Sequence, residues 1–323
     1  AQARGQVAPS LGLFFEGRHR WTENGDRRLG FDSDPFDARR RTELSRLTGR
    51  AGFRLDHGLR HTVLGLASVY DETREERRLF PSLVTTEADG FAFELQHIGR
   101  FGPLSTVAGA STTETRQNRV QDFGFFQAED FEADRHTSLY GFAHIAFPRM
   151  VRWTVGAAYD LRDGDAGEDV RDLHPKLGVE ADLGPVALRA AYIESASRDT
   201  AIGQTLEPAT IAGFAQFTDV PDGSRLRRKA IGADVQPLDG VWLGAEAVWD
   251  EIAIPRLSGP DRVIEDETLG VYAGVTVTPA LTAVASYSRE RSGSDFPLDF
   301  DSYDVDELRG VLNYFHPSGF FGS

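Results

Sequence analysis

The stretch HPKLGVEADLGPVALRAAYIES, residues 174–195, alternates strictly. Leu177, Val179, Ala181 and Leu183 hold one parity; Lys176, Gly178, Glu180 and Asp182 hold the other. A period of two sends successive side chains to opposite faces of a strand. The alternation breaks at Leu183-Gly184-Pro185, where glycine and proline suit a tight turn, and a second strand follows over 186–195. The segment reads as a hairpin with one apolar face and one charged face.

The same pattern recurs along most of the chain. Leu11, Leu13 and Phe15 alternate with Gly12, Phe14 and Glu16. Leu47, Gly49, Ala51, Phe53 and Leu55 alternate with Arg46, Thr48, Arg50, Gly52 and Arg54, and the rows at 151–159, 241–249 and 269–277 behave alike. Strands are predicted at roughly 10–21, 43–56, 61–71, 89–99, 104–115, 135–147, 151–161, 174–183, 186–195, 227–236, 241–251, 267–277, 281–290, 305–315 and from 319 onward. Most run to about ten residues, close to the 9–11 of a tilted strand crossing a bilayer.

The connections sharpen the reading. Short ones at 56–61, 99–104, 147–151, 183–185, 236–240, 278–280 and 316–319 alternate with long polar ones at about 22–42, 72–88, 116–134, 162–173, 196–226, 251–266 and 291–304. Short turns at one end and long loops at the other are the layout of an outer-membrane barrel. The stretch ATIAGFAQF, 209–217, could form a strand, but a full crossing there would break the alternation. It is assigned to one long outer loop with a local hairpin or an inward fold. The expected fold is all-β: one antiparallel up-and-down transmembrane β-barrel domain over residues 1–323, about fifteen strands, with short periplasmic turns and long extracellular loops. The alternative is a soluble sandwich or propeller.

Composition excludes several classes. The 323 residues carry a net charge of −15, which argues against a nucleic-acid binder. No cysteine is present, so disulfide frameworks, Cys-based zinc sites and thiol catalysis are excluded. Lys176 and Lys229 are the only lysines among 35 basic residues. No run of 18 or more apolar residues occurs. The eight histidines are scattered, without HExxH or other tight metal spacing. The serines lack a GxSxG elbow. The acidic stretches at 160–172 and 295–307 lack the ligand spacing of an EF-hand and read as solvated loops. No enzyme and no cofactor are expected.

A charge cannot face lipid, so the charged parity must face the barrel lumen. Lumen-lining candidates are Arg46, Arg50, Arg54, Glu94, Lys176, Glu180, Arg189, Glu246 and Arg309. Trp21, Tyr70, Phe147, Tyr159, Tyr192, Trp249, Tyr287 and Tyr314, near strand ends, suit interfacial belts. The arginine row at 46, 50 and 54 either favours anions in a pore or pairs with carboxylates on neighbouring strands, such as Glu16.

Residues 136–160 (HTSLYGFAHIAFPRMVRWTVGAAYD) and 173–219, with GVLNYFHPSGFF near the end, resemble the C-terminal barrel of outer-membrane proteins that carry tetratricopeptide repeats upstream. Those barrels are similar to TonB-dependent receptor barrels. The segment QTLEPATIAGF stands where such receptors carry an Asn-Leu-Lys-Pro-Glu-like segment after an outer loop, which makes Gln204, Leu206, Glu207, Pro208 and Phe214 outer-loop candidates. The resemblance implies a transport or export conduit, porin-like or receptor-like, for a small solute or polysaccharide. The alternative is a structural barrel anchoring a periplasmic repeat domain or partner complex. Expected partners are outer-membrane lipid, lipopolysaccharide and a periplasmic protein. In the family, further strands follow the Phe-His-Pro-Ser-Gly turn. An even-stranded barrel does not close on fifteen, so the 323 residues are expected to be part of a longer protein, in a barrel of sixteen or more strands.

Overall fold

The alternating rows become one antiparallel sheet in the computed structural model, which describes residues 1–25, 40–78, 83–164, 170–197, 205–218, 220, 223–256, 259–295, 302–315 and 321–322. Its strands are β1 (Gln2–Ala8), β2 (Leu11–Gly25), β3 (Arg41–His57), β4 (His61–Arg77), β5 (Leu83–Phe101), β6 (Leu104–Asp122), β7 (Gln127–Ala146), β8 (Val151–Gly164), β9 (Val170–Asp182), β10 (Val186–Ala196), β13 (Arg225–Leu238), β14 (Val241–Ile254), β15 (Arg262–Thr278), β16 (Leu281–Ser294), β17 (Tyr303–Phe315) and β18 (Phe321–Gly322). A separate two-stranded ribbon, β11 (Thr210–Ile211) and β12 (Phe214–Ala215), lies between β10 and β13. The sixteen-stranded sheet follows chain order, so each strand pairs with its sequence neighbour.

Three expectations need correction. The sheet starts one strand earlier than predicted: Gln2–Ala8 pairs with β2, from Gln2 opposite Glu16 to Ala8 opposite Leu11. Its outward side chains, Ala3, Gly5 and Val7, are too small and few to announce a strand. Second, much of the expected loop length is ladder. The β5–β6 pairing runs from Phe101 opposite Leu104 to Leu83 opposite Asp122, and β6–β7 continues from Leu104 opposite Ile145 to Asp122 opposite Gln127. Backbone pairing continues past the apolar rows because extended polar strands still satisfy each other's N–H and C=O groups. Third, Tyr70 is buried at 6% exposure beneath the Arg46 guanidinium and is not a belt residue.

The short connections are tight. Gly102 and Gly184 take φ of 65° and 86°, a left-handed backbone that glycine adopts without a Cβ penalty. The turn expected at 316–319 lies outside the described residues, but the antiparallel pairing of Phe315 with Phe321 joins the strands on either side of it. Residues 11–25 pair with β1 and β3, and among the described residues they make no pairing with β17 or β18.

Register carries each parity across the sheet. Leu188, Ala233, Ala245, Val271, Tyr287 and Leu308 form one continuous row. The large exposed apolar side chains concentrate on this face, among them Phe93, Trp153, Val155, Leu177, Leu243 and Leu312. The opposite face holds the buried polar side chains, including Glu94, Gln96, Ser138, Thr154, Lys176 and Arg228. A sheet that buries polar groups and exposes apolar ones is ordered for a solvent of hydrocarbon.

Candidate functional site

Residues 205–218 leave the end of the sheet where the long connections lie and fold back onto the polar face. The turn between β11 and β12 is Ala212-Gly213, with φ of 49° and 83°, a left-handed pair of the kind that closes two-residue hairpins. Ile211, Ala212 and Phe214 are buried against Tyr140, Phe142, Ala158, Ala191, Ile193 and Ala230. Gly178 makes room for them: a Cβ there would meet Ile211 Cγ2 at 2.8 Å and Ala212 Cβ at 3.0 Å.

Polar ties fix the segment at both ends. The Glu94 carboxylate accepts from the Leu206 N–H at 2.7 Å, the Glu207 N–H at 3.1 Å, the Thr205 hydroxyl at 3.0 Å and the Tyr140 hydroxyl at 2.6 Å. The Gln96 amide donates to the Tyr140 hydroxyl at 3.2 Å and to the Leu206 carbonyl. Lys176 Nζ lies 3.6 Å from Glu207 Oε1, and the two side chains are 1% and 0% exposed. The far end is held by the Ser195 hydroxyl, which donates to the Gln216 carbonyl at 2.8 Å, and by Arg228, which donates to the Ala215 carbonyl at 2.7 Å while paired with Asp250. The Pro208 carbonyl accepts from the Gln216 side chain.

All but two of the sequence-derived candidates fall into three groups. Glu94 and Lys176 join Leu206, Glu207, Pro208 and Phe214 in one site; Gln204 lies outside the described residues. The latter group, taken as outer loop, is therefore drawn onto the polar face, one of the two courses the sequence left open. Glu180, Arg189 and Glu246 form a second group along one row. Arg152 pairs with Glu180 at 2.9 Å, and Arg189 with Glu246 at 2.9 Å across Gly232, where a Cβ would come within 2.5 Å of Arg189 Nε. The Arg189 guanidinium also covers the Phe214 ring at 5.2 Å. The third group stands apart on β3: Arg46 beside Glu72 at 3.5 Å, Arg50 beside Glu16 at 3.6 Å, Arg54 against Asp56 at 2.9 Å. Arg309 sits opposite Ser286 near the β17 edge.

Sequence reasoning missed several participants. Tyr140, Arg228 and Ser195 have the right parity but belong to ordinary-looking strands, whereas Gln96 lies on the polar parity that alternation assigned to the lumen. Phe142 and Ile193 did carry a signal, being apolar side chains on the charged parity. His136 and His174, read as scattered, meet Asp160 at 3.1 and 3.5 Å. Among the described residues no group of three or more His, Cys, Asp or Glu is arranged to hold a metal ion. The arrangement is a chain segment docked on a strand face, held by Glu94 and Lys176 at one end and by Ser195 and Arg228 at the other.

No protein-family model matches the chain, and no curated protein does. Solved structures do. The copper transporter OprC gives a TM-score of 0.71 at 12% identity, covering 98% of this chain and 55% of that one. The ferric citrate transporter FecA, unliganded, gives 0.70 at 12% identity, with 98% and 55% covered. The alcaligin outer-membrane receptor FauA from Bordetella pertussis gives 0.68 at 12% identity, with 97% and 56% covered. The chain spans a little over half the length of these proteins. Its fold is that of the wall of an outer-membrane receptor barrel.

Proposed function

We propose that this chain forms most of the wall of a bacterial outer-membrane transport barrel, with residues 205–218 narrowing its interior. The tie of Glu94 and Lys176 to the backbone and side chain of Glu207 carries this reading. It fastens a long connection inside a polar face, where a solute would pass. The apolar row outside and the alternation of short and long connections support placement in the outer membrane, against lipid and lipopolysaccharide. The expected lumen-lining residues then form the path, with the arginines of β3 neutralised by Glu72, Glu16 and Asp56. Edge strands in lipid require neighbours, which supports strands beyond residues 1–323 that complete the barrel. The solute class, a small molecule or a polysaccharide, follows the resemblance.

The cover that residues 205–218 lay over part of the polar face favours a second reading, a closed barrel anchoring periplasmic tetratricopeptide repeats or another periplasmic partner. The complete protein from the surrounding reading frame separates the two. In planar bilayers, deletion of 207–217 is expected to raise its conductance. A barrel that stays insulating after the deletion, and that co-purifies with a periplasmic protein, overturns the transport reading.

A further inference from the structure

The tip of the β6–β7 hairpin is aromatic where a ladder standing in water is ordinarily polar. Phe123, Gly124, Phe125 and Phe126 make the turn. Gly124 takes φ of 83° and donates its N–H to Asp122 Oδ1 at 2.7 Å, and the Phe123 N–H donates to the Phe126 carbonyl at 3.0 Å. Phe123 and Phe126 stack with centroids 4.6 Å apart, and Phe125 meets Phe126 edge-on at 5.0 Å. Despite these contacts Phe125 is 77% exposed and Phe126 50%. Every residue from Gly124 to Glu132 is exposed, including Glu129, Asp130 and Glu132. A contiguous aromatic surface held in a defined turn marks an interaction site.

Position and charge narrow the partner. The apolar face of β7 ends at Leu139, and Arg135 follows on the same parity. From Arg135 to Phe126 the strand advances roughly 30 Å at about 3.3 Å per residue, so the tip stands well clear of the apolar band. The seven long connections, as bounded from the sequence, hold 31 of the 50 acidic residues and 17 of the 35 basic ones, a net of −14 out of −15. That end of the molecule attracts cations and repels anionic headgroups. Aromatic faces favour cations too. Asp130, opposite Arg119, and Glu132 share one face of β7, roughly 13–20 Å of strand from Phe126, while Glu129 lies on the other face and accepts from the Asn118 amide at 2.9 Å. A ligand touching both rings and carboxylates must therefore be extended, apolar in part and positive in part.

We infer that the β6–β7 tip captures cationic amphipathic peptides. Their apolar side chains cover Phe125 and Phe126, and their Lys or Arg groups meet Asp130 and Glu132. This site is independent of whether the barrel conducts a solute.

A fluorescent Lys/Leu amphipathic peptide, titrated against the protein in uncharged detergent, tests it, with a Glu/Leu peptide of equal length as control. The Lys/Leu peptide is expected to bind at least roughly tenfold more tightly, with an advantage that shrinks as added salt screens the carboxylates. Joint Phe125→Ser and Phe126→Ser exchange is expected to weaken binding roughly tenfold. Joint Asp130→Lys and Glu132→Lys exchange is expected to do the same. Far-UV circular dichroism establishes that each variant keeps its sheet, and Phe125→Ser alone serves where the pair does not fold. Equal affinity for the two peptides, or unchanged affinity after the phenylalanine exchange, overturns the proposal. Full displacement of the peptide by tetrapropylammonium also overturns it, in favour of a small-cation site.

Discussion

Glu94 receives four hydrogen bonds, two of them from backbone N–H groups of residues more than a hundred positions later in the chain. Lys176 and Glu207 complete the tie as a fully buried ion pair. Removing one member of such a pair leaves the other charge buried and costs about 3–5 kcal/mol, whereas replacing both by apolar groups of similar volume is often nearly neutral. Lys176→Met is therefore expected to loosen residues 205–218, and Lys176→Met with Glu207→Leu is expected to recover most of the loss. Denaturant titration of the four members of the cycle measures it; strict additivity would mean that the two side chains do not interact. Alternation alone placed Glu94 and Lys176 on the polar parity. It gave no sign of Glu207 as their partner, because the contact joins β5 and β9 to a connection beyond β10.

The hairpin β11–β12 depends on a missing side chain in the strand beneath it. A valine at Gly178 would strike Ile211 and Ala212, while Gly270, on the same parity of β15, has open space around its Cβ position. Gly178→Val is expected to displace the hairpin at a cost of about 1–3 kcal/mol and leave the strand ladder intact. Gly270→Val is expected to change little. Limited proteolysis within 205–218 reports the difference; equal protection in both variants would show that the hairpin does not rest on β9. At this scale the strands were legible wherever large apolar residues repeated every second position. The first strand was not, because Ala3 and Gly5 contribute little apolar area and its evidence is the register with β2. Tyr70 misled in the opposite way: an aromatic near a strand end suits a membrane interface, but its parity sends it under Arg46.

Across the whole molecule one face is ordered for lipid and the other for polar contact. Val271 lies in the middle of the continuous apolar row and is 41% exposed. Val271→Arg is expected to destabilise the barrel by about 2–4 kcal/mol, the cost of a charge at the midplane of a lipid-facing strand. Urea unfolding of the complete protein in lipid vesicles measures this, and a shift below about 1 kcal/mol would place Val271 outside the membrane core. The sequence by itself determined the all-β class, the strand order and the two faces, because parity and turn residues are local and survive without knowledge of distant partners. Only the tertiary structure decided where residues 205–218 go, which charges neutralise one another, and how His136 and His174 meet Asp160. Those contacts join strands and connections far apart in the chain, and no local period records a distance that appears only once the sheet has formed.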